Sequence, residues 1–476
     1  MTKSSSASGS DTLLSVSSPY SGELLAQLDT ASMAEVQAAL TRAAELHRDR
    51  RQRLSLQRRI EILHNTARIM TEQAEELARL AASEGGKPLL DSRIEVTRAI
   101  DGVQLCIEAL RHDGGRLVPM NLDAASSGRV AFTQKEPIGV VVAVSAFNHP
   151  LNLIVHQVAP AIAAGCPVLV KPAEDTPLSC QRFVEILYQA GLPEPWCRML
   201  VTRDLAVAEA LVTDPRVGLF SFIGSARVGW MLRSKVAPGT RCLLEHGGAA
   251  PVVVFNDADI PQAVKALTRG AFYHAGQVCV SVQRIFAHAD IAALLAQQLA
   301  RAANNLVLGD PLDSSTEVGP LIRAAEVERV DNWVREAIDL GAHSLSGAAR
   351  EGSNLYRPTV LSEVPADCTL SRNEVFGPVA AVYSFDDADS AFRVANDLPF
   401  AFQAAVFTRD IQNMMRAFHA LDGSAVMVND HSAFRTDWMP FAGLKQSGLG
   451  VGGIAHTLHE MQIEKMLVLH CTDSLH

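Results

Sequence analysis

Three observations predict an α/β chain, with a doubly wound parallel sheet followed by a second α/β unit. From 138 to 248, near-continuous apolar runs of strand length alternate with amphipathic runs of helix length. Strands covered by helices on both faces read this way, because neither side of the sheet meets water. The same alternation restarts at Pro251, so a second unit begins just after Gly248. At 476 residues, the chain is also too long for one compact core and should divide into two or three domains.

The elements follow in order. Residues 1–11 are polar and lack the apolar centre of a signal peptide, so they read as a frayed tail. Apolar residues at three- and four-residue spacing predict long helices over 33–83 and another over 91–111, closed by Gly114-Gly115. The basic run over 47–59 reads as a solvated helix face. A β-like run covers 128–134. Strands are then expected at 138–144, 166–172, 197–201, 217–224 and 241–248, with helices at 151–164, 176–190, 205–211 and 225–236 between them. In the second unit, a strand at 251–255 leads to a helix over 260–274 and a strand over 280–287. Helices at 291–304 and 324–340 flank a polar connection, and strands near 356–361 and 380–385 flank EVFGP. Helices at 388–396 and 411–421 precede a strand at 424–429. The last run, 463–470, is a strand with no partner close in sequence, so it must pair with something distant, within the chain or in another subunit.

Composition excludes several function classes. A net charge of −10 argues against a nucleic-acid binder. No apolar run reaches the roughly 18 residues of a membrane span. The eight cysteines are scattered without a CxxC pair, which favours free thiols in a reducing cytoplasm. His456 and His459 lack a nearby third ligand, so no metal site is expected.

Chemistry-bearing residues gather at expected strand ends, where ligands collect in an open parallel sheet. Asn148 follows the first strand, and an amide there either donates to a developing oxyanion or caps the next helix. Lys171 and Glu174 follow the second, suited to ribose hydroxyls or to a surface ion pair. Gly224 and Ser225 open a helix after the fourth, where backbone N–H groups and the helix dipole favour a phosphate. The spacing there is GSARVG, so the GxGxxG fingerprint is absent. Glu245 ends the fifth strand, a candidate general base. Cys279 sits at a helix-to-strand break made by Gly276-Gln277, as either nucleophile or buried space-filler.

With these residues assembled, the chain is identified as a member of the aldehyde dehydrogenase superfamily. SAFNHP, KPAEDTP, FIGSARVG, LEHGG, GQVC, EVFGP and PFAGLKQSG resemble its motifs in order, from about Ser18 to Val468. The pattern is most similar to the lactaldehyde and phosphonoacetaldehyde dehydrogenase branches. The resemblance implies Cys279 as nucleophile, Glu245 as base and Asn148 as oxyanion donor. It implies that Phe147, Lys171, Glu174, Gly224, Ser225, Gly247, Glu374 and Phe376 hold NAD, with NADP possible. It divides the chain into a cofactor domain (1–116 and 135–249), a catalytic domain (250–446) and a β-hairpin oligomerisation arm (117–134 and 459–476), with 463–470 adding to a neighbouring subunit's sheet in a homodimer or homotetramer. Departures bear on the substrate, a small aldehyde. His149 replaces a frequent phenylalanine and suggests a more polar molecule. Ala249 replaces a lysine. Val278 stands where relatives that take anionic aldehydes carry arginine, which argues against a phosphonate. Arg98 and Arg435 are candidate anion-binding residues, or members of structural salt bridges. CoA acylation and a catalytically silent protein on the same fold are the alternatives. Both are disfavoured by the presence of Cys279 and Glu245 together.

Overall fold

The computed structural model describes residues 13–470; the tail read at 1–11 lies outside them. The expected helical stretch over 33–83 is three helices, Met33–Arg48, Leu56–Glu72 and Ala74–Gly85, followed by Leu89–His112. Ser32 starts the first by a reciprocal cap with Glu35, each side chain accepting the other's backbone N–H. Ile62, Met70, Val96, Val103 and Cys106 from these helices join one core with helix Asn152–Ala164. That last helix is buried at every residue, as an almost wholly apolar helix requires.

The first large sheet has six strands, in spatial order Gly448–Leu449, Arg241–Glu245, Val217–Ile223, Val140–Val144, Val168–Lys171 and Cys197–Met199. All pairs are parallel except the short Gly448–Leu449 edge. Val140–Val144 comes first in the chain yet lies inside the sheet. The chain therefore winds outward one way, returns, and winds out the other. The crossovers leaving Val140–Val144 and Val217–Ile223 run to opposite sides, and a crevice opens between their carboxyl ends.

The second sheet has seven strands, in order His343–Ser346, Thr359–Ser362, Val379–Phe385, Val282–His288, Ala250–Val254, Gln403–Phe407 and Ala425–Val428. Sequence reading omitted Gln403–Phe407, although all five residues are buried. QAAVF is short and alanine-rich, so neither alternation nor β-branching marks it as a strand.

A third sheet forms the arm. Gln462–His470 pairs antiparallel with Arg129–Pro137 over nine residue pairs, and Leu117–Val118 flanks the latter. The strand expected to add to a neighbouring subunit's sheet thus has one edge filled by its own chain, more than 300 positions away. Its other edge carries no strand among the described residues, and Met466, Leu467, Val468 and Leu469 are exposed. No helix among the described residues is long and apolar enough to cross a membrane.

Candidate active site

The expected helix over 260–274 stops at Phe272. A tight turn, Tyr273–Gly276, follows, with His274, Ala275 and Gly276 all at positive φ (48°, 53° and 70°). Two non-glycine residues in the left-handed region cost stability, so the surroundings must hold them there. Gln277 does much of this. Buried completely, it donates from Nε2 to the carbonyls of His274 and Pro320 (3.3 Å each) and accepts the Ile322 N–H at Oε1 (3.0 Å). Ser281 donates to Gly270 O (3.1 Å), and Ser432 donates to Val280 O (2.8 Å). Gly276 passes against the backbone of Gly377, where a Cβ would overlap the Gly377 carbonyl. These contacts delay the strand to Val282 and present Cys279 on a fixed loop.

Asn148 reaches this loop from the other sheet. Its Nδ2 donates to the Gln277 carbonyl at 2.8 Å, two residues before Cys279. The loop that carries Asn148 is itself anchored: Glu95 accepts the backbone N–H groups of Leu151 and Asn152 (3.0 and 2.9 Å), and buried Lys87 pairs with the same carboxylate. Burial pushes the Cys279 thiol up from its usual range; the charge of Glu245 adds to this, and Arg435 opposes it. Burial likewise raises the Glu245 carboxyl, again against Arg435, whose Nη1 stands 3.9 Å from Oε1. Asn148, Glu245 and Cys279 therefore meet where the two large sheets face each other.

The expected cofactor residues lie along the six-stranded sheet and across the junction. Lys171 Nζ is 3.6 Å from Glu174 Oε1, and Arg203 Nε is 3.9 Å from Oε2 of the same carboxylate. Ser225 precedes helix Ala226–Arg233 and makes no side-chain cap, so its hydroxyl is uncommitted to the helix. Gly224 donates its N–H to Glu245 O (3.0 Å) and accepts at its carbonyl from His246 Nδ1 (2.8 Å). Glu374 lies so close to Gly247 that a Cβ there would overlap its carboxylate. Burial raises the Glu374 carboxyl to about 8, and its Oε1 is buried without a partner. Phe376, at φ 45°, meets Phe147 edge-on with ring centroids 5.9 Å apart.

The three expected substrate contacts separate. Arg98 grips Asp437 with two hydrogen bonds (3.0 and 2.8 Å), the structural salt bridge of the two readings. Arg435 lies with its guanidinium 3.5 Å from the Phe441 ring centroid, facing Glu245. His149 Nε2 and Tyr273 Oη are 3.0 Å apart, and burial pushes the imidazole well below its usual pKa, so it is neutral. Val278 packs into an apolar cluster with Val280, Phe402 and Phe441. Sequence reading missed Tyr273, His156 and Asp437. His156 Nε2 is 2.7 Å from Asp437 Oδ1. Its signal was available: Asn152, His156 and Gln157 are polar residues in a helix otherwise fit only for burial.

Known proteins share this architecture. Residues 5–467 match the aldehyde dehydrogenase family. The chain belongs to that family. It is 37% identical over 457 residues to a 3-sulfolactaldehyde dehydrogenase of Priestia aryabhattai, covering 96% of this chain and 95% of that one. It is 35% identical over 460 residues to a lactaldehyde dehydrogenase of Methanocaldococcus jannaschii, covering 96% and 97%. Its fold matches that of a glyceraldehyde-3-phosphate dehydrogenase from M. jannaschii complexed with NADP, with a TM-score of 0.91 and 34% identity, covering 96% and 99%. The protein is thus an aldehyde dehydrogenase.

Proposed function

We propose that this enzyme oxidises a small, polar aldehyde to its carboxylic acid through a thiohemiacetal and a thioester on Cys279. The observation that carries this reading is the 2.8 Å bond from Asn148 to the Gln277 carbonyl, which joins the strand ends of both sheets beside Cys279 and Glu245. Burial keeps the sulfur a thiol at rest, so attack requires its proton to leave. That proton leaves to water, as the acid the overall oxidation releases, and Glu245 stays free for the later step. As the carbon–sulfur bond forms, the second N–H of the Asn148 amide and the Cys279 backbone N–H stabilise the oxyanion. Once the thioester exists, Glu245 as carboxylate takes a proton from water, which attacks the carbonyl carbon; the protonated Glu245 then gives that proton to the leaving sulfur, releasing the acid and the free thiol.

The residues present fit a dinucleotide: an uncommitted Ser225 hydroxyl at a helix N-terminus, a buried unpartnered Glu374 oxygen, and Lys171 with Glu174 at a strand end. Bound there, the nicotinamide would supply the hydride acceptor that turns thiohemiacetal into thioester. Glu174 favours NAD through its place beside the expected ribose 2′-hydroxyl. Arg203 and Lys171 offset that carboxylate, which leaves room for NADP. His149 is the substrate contact of this reading, while Arg435 faces Glu245. The relative named for sulfolactaldehyde brings an aldehyde with an anionic tail into the test.

In the same reading, residues 1–116 and 135–249 hold the cofactor, 250–446 complete the catalytic side, and the arm joins copies into a homodimer or homotetramer. The unpaired edge and exposed apolar residues of Gln462–His470 support the arm's role. The free thiols among the described residues support a cytoplasmic setting.

The decisive assay follows NADH from lactaldehyde, 3-sulfolactaldehyde and phosphonoacetaldehyde, with and without CoA. Turnover without CoA, greatest on the first two, is expected. Strict CoA dependence would reassign the enzyme to acylation, and preference for the phosphonate would overturn the argument from Val278. Glu245→Gln should keep the first burst of NADH and lose at least about 100-fold in turnover.

A further inference from the structure

Arg435 is a buried cation without a conventional partner. Its neighbour Asp437 is already occupied by two bonds from Arg98 and by His156 Nε2. The Arg435 Nε is buried with no hydrogen-bond partner, and Nη2 has only His156 Nδ1, at 3.5 Å. Its flat face rests on Phe441, which fixes the direction of the guanidinium. Among the described residues, the one carboxylate within ion-pair reach is Glu245, at 3.9 Å. Buried arginines normally face a carboxylate with a bidentate fit. This one stands off at the edge of contact, so its effect on Glu245 is charge at a distance and not a bond that would occupy the carboxylate.

From this arrangement we propose that Arg435 is a positioning residue for the reaction, keeping Glu245 an ionised base while leaving its oxygens open to water. The proposal rests on the roles given above to Cys279 and Glu245. The charged and titratable groups facing Glu245 are Arg435 on the 429–441 loop, Cys279 on the nucleophile loop and His156, which lines the same small cavity and is bonded to Asp437. Gly452 approaches the carboxylate from the third side and brings no charge. Arg435 in turn faces Arg98, Asp437 and His156, which are paired with one another. Burial raises the Glu245 carboxyl, and Arg435 is what opposes it. The sign follows: a cation favours the carboxylate, so removing it raises the pH at which the base becomes active.

The test uses p-nitrophenyl acetate with the whole enzyme, so the natural aldehyde need not be known. The ester acylates Cys279, releasing nitrophenolate as a burst. Water assisted by Glu245 then hydrolyses the acetyl thioester, setting the steady rate. Arg435→Met keeps the stack on Phe441 and removes the charge. It should retain the burst and move the acidic limb of the steady rate up by about one pH unit, tenfold slower on that limb. Arg435→Lys, which restores a charge, should move it back. A limb unmoved in Arg435→Met, while Glu245→Gln still abolishes the steady phase, overturns this inference alone. A steady rate that survives Glu245→Gln overturns the base assignment and the inference with it, and so does the absence of a burst in the unaltered enzyme. If Arg435→Met fails to fold, Arg435→Lys against the unaltered enzyme decides. With its shorter reach, it should show a smaller upward move, and an unchanged limb overturns the inference.

Discussion

The nucleophile side and the cofactor side of the cleft are built on opposite principles. Around Cys279 the two amides that shape the nucleophile loop, Gln277 and Asn148, are committed. Gln277 uses its side-chain amide on the carbonyls of His274 and Pro320 and on the Ile322 N–H, and its own carbonyl takes Asn148. Around the expected dinucleotide they are open: the Ser225 hydroxyl caps nothing, and Glu374 Oε1 is buried without a partner. An unpaired buried oxygen is costly in the free protein, and a ligand that pairs it regains that cost on binding. A group that stabilises charge during bond-making works best when already fixed, since nothing must reorganise during the reaction. The contrast teaches that the amides shaping the nucleophile loop are fixed in advance, while Ser225 and Glu374 keep polar atoms open for a ligand.

Three substitutions would break or sharpen that contrast. Asn148→Ala, on the committed side, removes a fixed donor and should slow the NADH burst by about 10²–10³. A burst within a few-fold of the unaltered rate would show that the amide serves only to tie the loop. Gly247→Ala pushes a methyl group into the Glu374 carboxylate. Dinucleotide affinity in a fluorescence titration should fall at least about tenfold, near 1.4 kcal/mol, with the burst at saturating cofactor preserved. Loss of the burst instead would mean that the two sides are not separable. Ser225→Ala deletes a hydroxyl with no internal role, so thermal stability should hold within about 0.5 kcal/mol. Cofactor binding should weaken by about 1 kcal/mol, as for one hydrogen bond. A melting point that fell while binding held would contradict the open-side description.

Much of this was legible in the chain because the signals are local. Strand-end residues such as Asn148, Glu245 and Ser225 follow apolar runs whose length and ending glycines mark where the backbone turns. Cys279 stood out through the Gly276-Gln277 break, although the strand after it starts at Val282 and not at Val280. Two left-handed non-glycine residues, His274 and Ala275, have no sequence signature, and contacts distant in sequence, among them those of Pro320, Ile322 and Gly377, help to hold that turn in place.

The sequence by itself determined the two α/β units, the family motifs and the identity of the groups at the strand ends, because helix and strand periodicity is written over a few neighbouring residues. The tertiary structure alone decided which charges are spoken for. Arg98 and Arg435 are equivalent as letters. One is bound to Asp437 and the other stands 3.9 Å from Glu245, since an arginine's role depends on which carboxylates the fold brings within reach, hundreds of positions away. The same holds for Gln462–His470, whose partner strand was invisible until the chain closed on itself.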